Sequence, residues 1–131
     1  MGWWERLVAL LGRGAGQSED FTFDNLDDAA RVVVTTNLND EIKVVNDRET
    51  VGRVVEIIKS HGSGWTVPRD GIPVADIRFN FYAGERPLGN VGVDIEFLTA
   101  HQMGSFWSKA SNRTDRAALL DAVGLSERAL M

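Results

Sequence analysis

VADIRFNFYAGERPLGNVGVDIEFL, residues 74–98, is the stretch from which the architecture of this chain can be worked out. Apolar and polar side chains alternate in both halves of the stretch, and a loop containing glycine and proline separates the halves. The alternating apolar positions are Ile77, Phe79 and Phe81 in the first half and Val91, Val93, Ile95 and Phe97 in the second. A period of two in adjoining segments is typical of an antiparallel hairpin with one buried face and one solvated face.

The same alternation places charged side chains on the solvated face of the hairpin. If position 81 lies opposite position 91, Arg78 is a cross-strand neighbour of Asp94. The same register sets Asp76 beside Glu96, a pairing of like charges that a partner or solvent must compensate. Together with Asn80, these residues predict an open, largely acidic face that is a candidate binding surface.

Shorter periodic segments precede the hairpin. β-branched residues predict strands over 32–36 and 42–45, and the turn residues between them join the two into another hairpin. Apolar residues at helical spacing then predict a helix that Gly62 ends. The apolar stripe of this helix is Val51, Val54, Val55 and Ile58.

The segments after the hairpin complete the domain. Residues 102–107 predict a further strand, and Asn112 with Asp115 predicts the start of a last helix that ends at Gly124. The element order is then β-β-α-β-β-β-α. We therefore predict an α+β fold for residues 19–131, in which two helices pack on one face of an antiparallel sheet.

The N-terminal residues 1–18 form a separate unit in this prediction. Residues 3–11 predict a short amphipathic helix, and a glycine-rich flexible linker follows at 12–18. The apolar residues of this helix are Trp3, Trp4, Leu7 and Leu11. Helices that lie on membranes usually carry several basic residues, and this one carries few. We expect it to dock on protein: on its own domain, on another chain or on a second copy, which would make a homo-oligomer.

Composition narrows the classes of function. A chain of 131 residues is long enough for one sizeable core. A net charge of −5 argues against nucleic-acid binding, because phosphate contacts need a basic face. The absence of cysteine excludes disulfides and thiolate chemistry and slightly favours the cytoplasm. The sequence holds no apolar run long enough to predict a transmembrane segment.

No pattern in the sequence predicts a catalytic or metal centre. His61 and His101 are the two histidines, and neither stands at the spacing of a metal-binding or catalytic motif. We therefore predict no enzyme activity, no metal and no cofactor. The candidate aromatic contacts for a partner are Trp65, which a Gly/Pro-rich loop carries, Tyr82 and Trp107.

A set of short motifs resembles the pattern of small uncharacterised bacterial α+β proteins. The motifs are Gly64-Trp65 with Pro68, Phe81-Tyr82, Leu88-Gly89, Phe106-Trp107, and Leu119-Leu120 ahead of Gly124-Leu125. The resemblance implies the α+β architecture and a bacterial type of protein, and it implies no activity.

These observations favour a non-catalytic protein-binding domain, of the immunity-like or inhibitor-like kind, with a basic partner. The predicted contact residues are Trp65, Arg78, Tyr82, Asp94, Glu96 and Trp107. The alternative is a small-ligand-binding domain whose pocket lies between helix and sheet, near the three aromatic residues. A hydrolase that uses Asp76, Asp94, Glu96 or His101 ranks last.

Overall fold

The computed structural model describes residues 23–67, 71, 73–102 and 104–127, with only the backbone for Asp24. The helix predicted for residues 3–11 and its linker lie outside these residues. The elements are a 3-10 helix (Asp24–Asp28), β1 (Arg31–Thr36), β2 (Glu41–Val45), α1 (Arg48–Lys59), β3 (Ile77–Ala83), β4 (Arg86–Val93), β5 (Phe97–Gln102), β6 (Ser105–Ala110) and α2 (Arg113–Ala122). In the part of the chain that is described, no helix has the length and apolar character needed to cross a membrane.

The six strands form one antiparallel sheet in the order β2-β1-β3-β4-β5-β6. Both helices join the sheet in a single hydrophobic core. The predicted α+β class is confirmed, with one strand more than expected. The apolar stripe predicted for α1 is buried in full, and α2 adds Leu119 and Leu120 to the same core. The sheet contributes Val32, Val34, Ile77, Phe79, Phe81, Val91, Val93, Leu98 and Ala100.

Side-chain caps begin both helices. The Asp47 carboxylate accepts a hydrogen bond from the Thr50 N–H at 2.9 Å and caps the start of α1. Hydrogen bonds from Thr50 hold the pKa of Asp47 below its ordinary value of 3.8. Asn112 caps α2 as predicted, because its side chain accepts from the Asp115 N–H at 3.0 Å.

The central hairpin has a different register from the predicted one. Two residues, Gly84 and Glu85, connect β3 to β4. The glycine- and proline-containing segment that was predicted as a longer loop therefore lies mostly within β4. Phe79 therefore pairs with Val91, and Arg78 pairs with Gly92 rather than with Asp94. The shift is two residues, which leaves the buried face of the hairpin unchanged.

The predicted long second strand of the hairpin is two strands. β4 ends at Val93, where the Asp94 N–H donates to the carbonyl of Phe97 at 2.9 Å. The Asp94 side chain accepts from the N–H of Ile95 at 2.7 Å, a local hydrogen bond that replaces a strand ladder. The chain reverses there into β5. The strand predicted over 102–107 begins at the last residue of β5 and includes the first three residues of β6, Ser105 to Trp107.

Candidate functional site on the open face of the sheet

The open face is the side of the sheet that bears the residues alternating with the core positions. Cross-strand pairing arranges its side chains in rows. The central row is Val33, Asn80, Asn90, His101 and Phe106. The adjacent row is Glu41, Thr35, Arg78, Gly92, Thr99 and Ser108. The charged and titratable groups of the two rows are the Arg78 guanidinium, the His101 imidazole and, on the edge strand β2, the Glu41 carboxylate.

A cavity of about 370 Å³ lies over these two rows, and we call it the Arg78 cavity. The sheet supplies one charged side chain, three further polar ones and a ring. These are Arg78, Asn90, Thr99, His101 and Phe106. The walls are Asn37 and the segment Pro73–Ala75, which precedes β3.

Gly92 allows this wall to approach the sheet. A Cβ atom on Gly92 would lie 2.2 Å from Oγ1 of Thr99 and 2.8 Å from Cβ of Ala75. Both distances are far inside van der Waals contact. Ala75 is buried, so the segment before β3 rests directly on the sheet at this glycine.

Hydrogen bonds hold the Arg78 side chain in place, but they do not use all of its N–H donors. Its Nη2 atom donates to the carbonyl of Asn37 and to Oδ1 of Asn39, each at 3.3 Å. The Nε atom is buried without a hydrogen-bond partner. No carboxylate of the described residues forms an ion pair with Arg78. The guanidinium is therefore a fixed positive charge with unused hydrogen-bonding capacity.

Two contacts that involve aromatic rings fix side chains on the open face. The rings of His101 and Phe106 stack with centroids 5.2 Å apart and an interplanar angle of 30°. Further along β3, the guanidinium of Arg31 lies 4.7 Å from the centroid of the Tyr82 ring, a cation–π contact.

A second cavity of about 630 Å³ adjoins the first, and we call it the Tyr82 cavity. It shares Asn90 and His101 with the Arg78 cavity. It also takes in Asn80 and Tyr82 from the open face, and it extends to Leu88 and to the 3-10 helix.

Of the predicted contact residues, Arg78 and Tyr82 lie on the open face, each beside a cavity. Trp65 does not, which corrects the expectation that its loop presents the ring to a partner. The ring is fully buried, donates from Nε1 to the carbonyl of His61 and packs edge-on against Phe23 at 5.8 Å. Trp65 therefore completes the protein's own core.

Trp107 also faces away from the cavities. It pairs with Ala100, a core position, and packs partly buried against the hydrophobic core. Its neighbour Phe106 is the residue that reaches the open face. The predicted acidic residues Asp94 and Glu96 lie in the connection between β4 and β5. These two carboxylates are therefore not among the strand residues of the open face, because the strand that was to carry them ends before them.

Asp76 forms an ion pair with the buried Arg116 instead of pairing with Glu96 across the hairpin. Arg116 on α2 is 2% exposed and donates to the two carboxylate oxygens of Asp76 at 2.7 and 3.0 Å. It also donates to Glu127, and at 2.9 Å to the carbonyl of Val93. Burial disfavours the charged guanidinium, but the hydrogen bonds that it donates to the two carboxylates outweigh this effect, so the pKa of Arg116 lies above its ordinary value.

The sequence prediction missed Arg116. The sequence does contain a pattern that could have identified Arg116 as buried. Positions 116, 119, 120 and 123 share one face of the helix, and this face is otherwise apolar. A charged side chain on such a face needs a partner of opposite charge.

A histidine, an aspartate and a serine meet at the start of α2. Nε2 of His61 lies 3.7 Å from Asp115, and the Ser111 hydroxyl donates to Asp115 at 2.7 Å. In a nucleophilic triad the histidine lies between serine and carboxylate, whereas here the carboxylate lies between the other two. The cluster joins the end of α1 to the start of α2. Within the described ranges, no three histidine, aspartate or glutamate side chains come together as a metal site.

The remaining predicted contacts, Trp3, Trp4, Leu7 and Leu11, lie outside the described residues. Comparisons with models of protein families, with curated proteins and with solved structures found no match for this chain.

Proposed function

We propose that this protein is a small-ligand-binding domain and that the ligand lies on the open face of the sheet. The observation that carries the proposal is the pair of adjoining cavities, about 370 and 630 Å³, which share Asn90 and His101. Binding sites for small molecules have volumes in this range and combine apolar walls with a few polar groups. The polar groups here are two guanidinium groups, several carboxamides, two hydroxyls, an imidazole and, at the 3-10 helix, the carboxylate of Asp28.

The proposed activity is binding without catalysis. The side chains around the cavities donate and accept hydrogen bonds and stack, which suits the orientation of a ligand. Asp28 lines the Tyr82 cavity together with His101, but among the described residues no carboxylate forms an ion pair with His101 that would orient it as a general base. The Arg78 cavity differs in place from the pocket predicted between helix and sheet, whereas the Tyr82 cavity extends from the open face to the 3-10 helix.

A fragment screen on the ¹⁵N-labelled full chain tests this proposal. We expect the amide shifts that fragments perturb to cluster on β3, β4 and β5 around Asn90 and His101. An Asn90→Leu variant should weaken the binding of those fragments at least tenfold. The matched control is Asn46→Leu, an exposed position between β2 and α1, which should leave binding unchanged. Hits that scatter over the surface, or a screen without hits, would reject the proposal.

A second candidate is the protein-binding domain of the immunity-like or inhibitor-like kind. The observation that favours it is the β1–β2 hairpin, where Leu38 and Val44 are 77% and 44% exposed. Both lie at an edge of the sheet, where exposed apolar residues and unpaired strand groups can receive another protein. The net charge of −5 favours a basic partner. We assign either function to the cytoplasm as part of the same proposal.

Affinity capture with the full chain, a Leu38→Ser/Val44→Ser variant and a chain lacking residues 1–18 tests this candidate. A stoichiometric partner that the hairpin variant loses would support a contact on the hairpin. Loss only with the shortened chain would assign the contact to the predicted N-terminal helix. If all three proteins capture the same material, neither surface is the contact.

A further inference from the structure

We propose that the Arg78 cavity binds the carboxylate group of a small organic acid, whose compact apolar body lies against Phe106 and the wall Pro73–Val74. This inference rests on the proposed function and gives the chemical class of its ligand.

The charge of the cavity favours an anion. Its charged and titratable lining groups are Arg78 and His101, and none of the described lining residues is acidic. A guanidinium remains charged at any physiological pH. The cavity is therefore positive in a protein whose net charge is −5. A bound anion would find no nearby carboxylate to repel it within the lining.

The hydrogen bonding of Arg78 favours a carboxylate in particular. The Nε donor of Arg78 is buried and Nη2 makes two hydrogen bonds at the long distance of 3.3 Å, so the donors left for a ligand are those at the Nη end of the guanidinium. The planar fork of arginine matches the two oxygens of a carboxylate. The lining holds one guanidinium together with neutral polar groups of Asn90 and Thr99, which suits a single negative charge better than a doubly charged phosphate.

The remainder of the lining suits an apolar body. Phe106 is held by its stack on His101, and Pro73 and Val74 form the opposite wall. Val74 is 68% exposed, so a ligand that covers it removes apolar surface from water. An acid with a ring-sized apolar body would use the arginine and these walls together.

Benzoate and benzamide are the probes that separate charge from shape, because they share a ring and differ in carboxylate against neutral amide. Titrated by NMR into the full chain at constant ionic strength, benzoate should bind at least tenfold more tightly than benzamide. The perturbed amides should include those of Asn90 and Thr99. Arg78→Gln should reduce benzoate affinity to that of benzamide. The matched control Arg53→Gln, on an exposed face of α1, should change nothing.

Two further measurements keep the outcome decisive. Arg78→Lys retains the charge without the fork and should bind benzoate with intermediate affinity. If Arg78→Gln does not fold, Thr99→Val serves in its place and should weaken benzoate at least threefold. Equal affinity for benzoate and benzamide, tighter binding of inorganic phosphate, or no benzoate binding would each overturn the inference. If benzoate fails in this way but other fragments still cluster on the open face, the inference is wrong and the proposed function stands. If no fragment clusters on the open face, both are wrong.

Discussion

Replacement of Arg116 by methionine tests whether the ion pairs of this buried arginine stabilise the fold. The guanidinium joins α2 to Asp76 before β3, to Glu127 after the helix and to the end of β4 through the carbonyl of Val93. Methionine has a similar length and keeps the apolar packing of the side chain, so the change removes the charge and its hydrogen bonds without a large cavity.

The expected cost follows from how exposed each partner is. The side chains of Asp76 and Glu127 are 50% and 45% exposed, so both carboxylates regain water when Arg116 is lost. Each of these ion pairs therefore contributes at the level of a partly exposed pair, about 0.5–1 kcal/mol. The carbonyl of Val93 is buried and loses its donor, which costs about 1–3 kcal/mol.

Methionine also relieves the cost of burying a guanidinium, which acts in the opposite direction. We expect the two carboxylates, left without the cation between them, and the unsatisfied carbonyl to outweigh that relief. The net loss is about 2 kcal/mol.

Urea unfolding followed by tryptophan fluorescence measures this loss, because Trp65 lies in the core. The matched control is Arg113→Met in the exposed first turn of the same helix, which should change the free energy of unfolding by less than about 0.5 kcal/mol. Adding Asp76→Asn and Glu127→Gln to Arg116→Met should recover about 1 kcal/mol by removing the carboxylate repulsion. An Arg116→Met variant as stable as the native chain, or more stable, would refute the reasoning.

Three further predictions concern local features. Gly92→Ala should destabilise the fold by about 1–3 kcal/mol, because the added Cβ overlaps Thr99. Urea unfolding measures this loss, and an unchanged free energy of unfolding would contradict the close approach of Ala75 and Thr99 to Gly92. Asn112→Ala should cost about 1 kcal/mol through loss of the α2 cap, whereas Asn112→Asp should retain most of the stability. The lowered pKa of Asp47 means that its ionised cap contributes stability above the carboxyl's unfolded pKa of about 3.9, and that this stability is lost as the pH falls through the lower folded pKa. The difference in stability between the native chain and Asp47→Asn should therefore be constant at neutral pH and change below about pH 4; a difference independent of pH would contradict this assignment.

Local patterns predicted most of the elements, because each depends on residues close together in the chain. The buried stripe of α1 repeats at helical spacing, and its four apolar residues all reach the core. The cap at Asn112 needs only a side chain and an N–H three residues away. The alternation in β3 likewise identifies Arg78 and Tyr82 as neighbours of one open face.

The composition of the candidate site needed the tertiary fold. Asn90, Thr99 and Phe106 come from three different strands, and they meet only when those strands pair in one register. The Arg78 cavity further needs the segment before β3 to rest on Gly92, a contact between residues that no local period describes. Sequence reasoning instead placed carboxylates on this face.

The physical reason lies in the period of a strand. Alternation predicts which side chains share a face, but a register shift of two residues keeps that division intact, so the pattern cannot distinguish Val91 opposite Phe79 from Val91 opposite Phe81. Alternation also cannot show that a strand stops at Val93, where the hydrogen bonds of Asp94 reverse the chain. The sequence thus specified two faces and two helices. Pairing between distant segments specified which side chains line the open face, with Arg78 beside the cavity and Asp94 and Glu96 in the connection between β4 and β5.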